Sequence, residues 1–86
     1  MSKRAMEAQL LVAMGSDKGL LARGCHASLM QPSGVETARE GHPIGTWHWG
    51  SGHFAFTPSS PRVQAMEADT LAEAVALTVA LLRATG

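Results

Sequence analysis

The side chains best suited to chemistry in this chain are four histidines and one cysteine. Imidazole and thiolate groups are preferred zinc ligands, and a structural zinc site needs four of them. His48 and His53 are predicted to lie diagonally on one face of a hairpin, about 7–8 Å apart at the backbone. Further ligands would come from Cys25, His26 or His42, but no CxxC, HxxxH or HExxH spacing is present. We expect no metal and no cofactor, and keep a small zinc-binding domain as an alternative.

Nucleophilic catalysis has little support in the sequence. Cys25 precedes a histidine, but neighbours on a strand point to opposite faces and cannot form a hydrogen-bonded pair of nucleophile and base. The Gly50-Ser51-Gly52 segment is typical of a turn rather than of a GxSxG elbow. The acidic residues Glu67, Asp69 and Glu73 are accounted for by capping of the last helix. We therefore expect no enzymatic activity and assign no catalytic residues.

Four aromatic residues lie close together in the middle of the chain, namely Trp47, Trp49, Phe54 and Phe56. Aromatic strands can stack nucleic-acid bases, but such platforms stand among basic residues, and only Arg62 is near these rings. Seven basic and seven acidic residues give a formal charge of zero, without the excess that neutralises phosphates. Burying large rings stabilises a small domain strongly. We therefore assign the four rings to the core and keep single-stranded nucleic-acid binding as a further alternative.

Composition limits the chain to one small folded domain. It has 86 residues, of which 45% are hydrophobic and 16% charged, which is typical of a globular protein rather than of a disordered one. A single cysteine cannot form an internal disulfide and is compatible with a reducing compartment. The longest apolar stretch, residues 74–82, is shorter than the ~20 residues that span a bilayer. We predict one cytoplasmic domain over residues 1–86.

Glycine and proline divide the chain into three parts. Residues 2–14 and 62–85 contain neither, whereas residues 15–61 hold eight of the nine glycines and all four prolines. Both residue types are unfavourable inside helices. The pattern therefore predicts one helix over about 2–14 and another over about 70–84, with strands and loops between them.

The residues around the four rings, about 45–57, are predicted to form a hairpin that turns at Ser51. Pairing Trp49 with Phe54 places all four rings on one face and the histidines on the other. Pairing Trp49 with His53 would leave rings exposed to water, so we reject that register.

A short strand over about 62–67 is predicted to extend this hairpin, with Arg62 opposite Thr57. The alternative is a long helix that starts at Pro61 with Ser60 as its N-cap. We prefer the strand because Thr70 to Glu73 is a capping box and gives a better helix start. Before the hairpin, residues 20–30 are predicted to form a strand and residues 31–43 a loop.

Three surfaces are candidate binding sites, and the loop predicted over residues 31–43 is one of them. The polar face of the predicted sheet holds four candidate residues: His48, His53, Arg62 and Gln64. The last helix carries a ridge of alanines at a spacing of four, whose small side chains allow another helix to approach closely. The candidate dimer interface on this ridge consists of Ala72, Ala76 and Ala80.

These elements predict an α+β fold, a small two-layer α/β sandwich in the order α-β-β-β(-β)-α. In it, an antiparallel meander packs against the N- and C-terminal helices.

The aromatic hairpin, the short strand after it and the ADTLAEAVAL segment at residues 68–77 resemble the C-terminal half of small phage-encoded α/β sandwich proteins, the "phage ABA sandwich" group. The resemblance covers roughly the second half of the chain. It implies a two-layer fold, an origin in a phage or integrated element, and no assigned activity. We expect a non-enzymatic accessory protein in a bacterial host cytoplasm that binds a protein partner, for example to inhibit a host or defence complex, and that forms a homodimer through its last helix. We expect no nucleic-acid partner and no membrane association.

Overall fold

The computed structural model describes residues 2–85, so Met1 and Gly86 of the predicted domain lie outside the described residues. The elements are α1 (Lys3–Gly15), α2 (Lys18–Ala22), β1 (Cys25–Leu29), β2 (Val35–Arg39), β3 (His42–Gly50), β4 (His53–Pro58), β5 (Met66–Ala68) and α3 (Leu71–Thr85). The strands form one antiparallel meander in the order β1-β2-β3-β4-β5. Helices α1 and α3 pack against each other and against one face of this sheet. This covered face is called the inner face. The predicted two-layer α+β architecture is confirmed, with one more strand and a short additional helix.

The aromatic hairpin has the predicted register. Trp49 pairs with Phe54 and Trp47 with Phe56, with ring centroids 4.7 Å and 5.0 Å apart respectively. Ser51 and the glycine after it form the turn, both with positive φ, as a two-residue hairpin loop requires. All four rings therefore lie on the inner face under the helices, and three of them are fully buried.

Helix α3 begins at the predicted capping box. The Thr70 hydroxyl accepts a hydrogen bond from the Glu73 N–H, and the Glu73 carboxylate accepts one from the Asp69 N–H, each at 3.0 Å. Farther along α3, the buried Thr78 hydroxyl accepts a hydrogen bond from the Trp47 indole N–H at 3.0 Å. This bond satisfies a polar group that would otherwise be stranded in the core, and it fixes α3 to the centre of the sheet.

The strand predicted over 62–67 is wrong in position. The observed strand is β5, in which Met66 pairs with Phe56, and the alternative long helix from residue 61 does not form either. The Ser60 hydroxyl and carbonyl oxygens accept hydrogen bonds from the Arg62 and Val63 N–H groups. This turn occupies the backbone of residues 60–63, so the chain reaches the sheet edge only at Met66.

The predictions for residues 20–43 need two corrections. Residues 18–22 are helical because the Asp17 side chain caps them, accepting a hydrogen bond from the Leu20 N–H at 3.0 Å, and the strand starts only at Cys25. Residues 31–43, predicted to be a loop, contain β2 and the start of β3. Cys25 is buried and His26 exposed, as expected for neighbours on a strand.

Candidate functional site

The four predicted binding residues do not form one surface. His48 and His53 lie on the outer face of the sheet, the face opposite the helices, in register with Ala55 and Gly50. Arg62 and Gln64 precede β5 and line a groove of about 400 Å³ against α3 instead. The displacement of the last strand to Met66 is the reason for this separation.

The two outer-face histidines have different surroundings. The His53 Nε2 atom lies 3.6 Å from a Glu67 carboxylate oxygen, and its Nδ1 atom lies 3.3 Å from the Ser51 carbonyl oxygen. The His48 ring lies over Gly34, and its Nε2 atom is buried with no hydrogen-bond partner among residues 2–85. A nitrogen covered by backbone cannot reach a ligand in solvent. Across the same residues, no group of three or more His, Cys, Asp or Glu side chains is arranged to hold a metal ion, so the zinc alternative gains no support.

Cys25 is the one thiol of the chain and is 3% exposed. Burial raises the pKa of this thiol, and the positive charge of Arg39 offsets that effect only in part. Because the thiolate is the nucleophilic form, the environment of Cys25 is that of a core side chain.

A fully buried carboxylate, Glu7 on α1, was not identified from the sequence. Its two oxygens accept hydrogen bonds from the Gly34 N–H at 2.8 Å and from the Trp49 N–H at 3.2 Å. Strand β2 starts at Val35, opposite Trp47, so the Trp49 N–H extends past the end of its neighbouring strand. The Glu7 side chain takes the place of the missing backbone acceptor and ties α1 to the sheet.

Glu7 is held in its ionised form by this arrangement. Burial alone would raise the pKa of the Glu7 carboxyl, but the hydrogen bonds from Gly34 and Trp49, together with the positive charge of Lys3, outweigh it and lower the pKa below its ordinary value. The Arg4 guanidinium, 3.5 Å away, partly neutralises the charge. With both oxygens occupied, Glu7 has a structural role rather than a catalytic one.

The outer side of the helical layer carries an apolar groove of about 640 Å³ between α3 and the end of α1, here called the helical groove. The predicted interface residues Ala72, Ala76 and Ala80 all line it and are all exposed. A second groove of about 430 Å³ adjoins it and is lined by Val12, which is 67% exposed. The predicted alanine ridge is thus present at the surface and is not covered by α1.

Most of the helical groove is lined by alanine and by the branched side chains Val75 and Val79. Its charged lining residues are Asp17 and Arg83, and Asp17 already caps α2. A groove with this lining offers apolar area and close backbone approach, and its one carboxylate, that of Asp17, is engaged as the cap of α2. Its chemistry is suited to docking another apolar surface.

Comparison of the chain with family models, with curated proteins and with solved structures gave no match. Within residues 2–85, every helix is too short or too polar to cross a membrane.

Proposed function

We propose that this chain is a non-enzymatic protein-binding domain whose binding surface is the helical groove. The observation that carries the proposal is an apolar surface on the solvent side of α1 and α3. Leu10, Trp47 and Leu82 are at most 1% exposed, and Val75 and Val79 of the groove pack partly against this core, whereas the alanine ridge of Ala72, Ala76 and Ala80 stays exposed to solvent.

The energetic argument rests on apolar area. Each Å² of apolar surface removed from water contributes about 25 cal/mol, so a partner that covers a contiguous apolar patch gains free energy from its burial. Val12 on α1 and the α3 alanines form such a patch along two neighbouring helices.

The resemblance to phage-encoded sandwich proteins supports a partner inside a bacterial host. Inhibition of a host or defence complex would be one form of such binding, and it remains a prediction from that resemblance. No charge excess favours nucleic acid as the partner, since the formal net charge is zero.

Site-specific photo-crosslinking tests the proposal. A benzophenone amino acid replaces Ala76 in the helical groove or, as a matched control, exposed Thr57 on the outer sheet face, and each variant is irradiated in bacterial cells. We expect discrete crosslinked protein adducts from position 76 and none from position 57. Absence of adducts from position 76, or the same adducts from both positions, would contradict the proposal.

A further inference from the structure

We infer that a second copy of this chain occupies the helical groove, with its α3 antiparallel to the first and a two-fold axis passing at Ala76. This inference rests on the proposed function of the groove and identifies its occupant. Two features of α3 support it: the spacing of its small residues and the sign of its terminal charges.

The alanine spacing fits a helix of the same kind. Ala72, Ala76 and Ala80 recur every four residues and form one row along the exposed side of α3. Rows of this type pack into the grooves of a facing helix, with axes about 8 Å apart when the side chains are small. A two-fold axis at Ala76 places Ala72 of one copy beside Ala80 of the other, so the small residues of both copies lie together where the two helices approach most closely.

The charges select the antiparallel direction. Asp69 and Glu73 lie at the start of α3 and Arg83 lies in its last turn, and all three are exposed. The same two-fold axis places residue 83 of one copy beside residue 69 of the other. Each arginine then lies beside the acidic helix start of the other copy, and the two-fold axis produces this pair twice in the dimer. A parallel arrangement would bring like charges together instead.

The two-fold arrangement also explains why the contact stops at two copies. An isologous contact uses the same surface on both partners and closes on itself. The alanine ridge lies along one face of α3, so the first docked copy covers it. A closed pair is the expected product.

Cysteine substitution tests this geometry directly, because a disulfide needs Cα atoms about 4.4–6.8 Å apart. Ala76→Cys lies on the axis, and we expect it to form a disulfide-linked dimer under mild oxidation. Ala72→Cys lies four residues from the axis, so its two copies would be about 12 Å apart along the helices and should not link. Ala72→Cys mixed with Ala80→Cys should link again. The native Cys25 is buried and serves as the unlinked background in wild type.

Charge reversal gives a second, reversible readout by sedimentation equilibrium. We expect Arg83→Glu and Asp69→Arg each to weaken the dimer about 5–30-fold and the double variant to recover most of the affinity. Thermal unfolding of each variant separates loss of dimer from loss of fold.

Three results would overturn the inference. They are a wild type that stays monomeric at millimolar concentration, linking at Ala72→Cys as readily as at Ala76→Cys, and a double charge variant no tighter than the single ones. If the benzophenone at position 76 links to other proteins while any of these results holds, the groove binds protein and only its assigned occupant is wrong.

Discussion

Replacing Glu7 by glutamine should destabilise the fold strongly although the two side chains have almost the same size. The carboxylate accepts two backbone hydrogen bonds, from Gly34 and Trp49. The amide of glutamine has one oxygen, so one buried N–H loses its acceptor and faces an NH₂ group. An unsatisfied buried donor costs about 1–3 kcal/mol. For a domain of this size, each kcal/mol lowers Tm by about 4–8 °C.

The acid dependence of stability provides the sharper test. Because the Glu7 pKa is lowered on folding, the ionised carboxylate stabilises the fold fully above the ordinary glutamate pKa. That contribution is lost as the pH falls through the lowered value. The free-energy difference between wild type and Glu7→Gln should therefore be largest near neutral pH and should shrink in acid.

Urea unfolding at pH 7 and at successively lower pH measures this difference, with Glu36→Gln on the outer sheet face as the control. Glu36 is only half-buried, so its substitution should change the free energy of unfolding by less than about 0.5 kcal/mol. The reasoning about Glu7 fails if Glu7→Gln is as stable as wild type at pH 7, or if its deficit is the same at pH 7 and pH 3.

Two core positions give further predictions, both measured by urea unfolding. Thr78→Val keeps the side-chain volume but removes the acceptor of the Trp47 indole N–H, and should lower the free energy of unfolding by about 1–3 kcal/mol. Thr78→Ser keeps the hydroxyl and should retain most of the stability. Equal stability of the valine and serine variants would count against this hydrogen bond. Gly45→Ala would place a methyl group against the Phe56 ring and 2.7 Å from a backbone oxygen, and should cost about 1–3 kcal/mol. In the matched control Gly15→Ala, the added methyl group meets nothing within 4 Å, so this variant should be neutral or stabilised by up to about 1 kcal/mol. A Gly45→Ala variant as stable as this control would show that crowding at Gly45 does not destabilise the fold.

The hairpin register followed from the sequence because four large rings had to share one face. Because side chains alternate between the two faces of a strand, this requirement pairs Trp49 with Phe54, and the structure confirms that pairing. The two long helices followed equally directly from the distribution of glycine and proline. In both cases the deciding signal is local, lying within a short stretch of chain.

Strand β2 was missed because its local signal is that of a loop. Residues 31–34 include proline and glycine, and Glu36 and Arg39 add charge to the five-residue strand that follows. What makes the segment a strand is pairing on both sides with β1 and β3. Long-range pairing of this kind outweighs local preference.

One feature of the sequence does indicate that Glu7 is buried. Its spacing of three from Leu10 and seven from Met14 puts a carboxylate on the buried stripe of α1, and all three residues are buried. A charge on an apolar stripe implies partners that offset its burial, but which N–H groups serve depends on where β2 begins. Arg62 and Gln64 were assigned to the sheet for a related reason: the length of the turn before β5 is set by hydrogen bonds at Ser60 rather than by residue type.

Within residues 2–85 the helices cover one side of the sheet and leave the other open, and this determines what a pair of copies joined at α3 would present to its surroundings. The two helical layers would meet in the middle and the two sheets would form the outer walls, giving a β-α-α-β stack of four layers. His48 and His53 of each copy would then point outward in opposite directions. Such a particle would display the same polar wall twice, back to back.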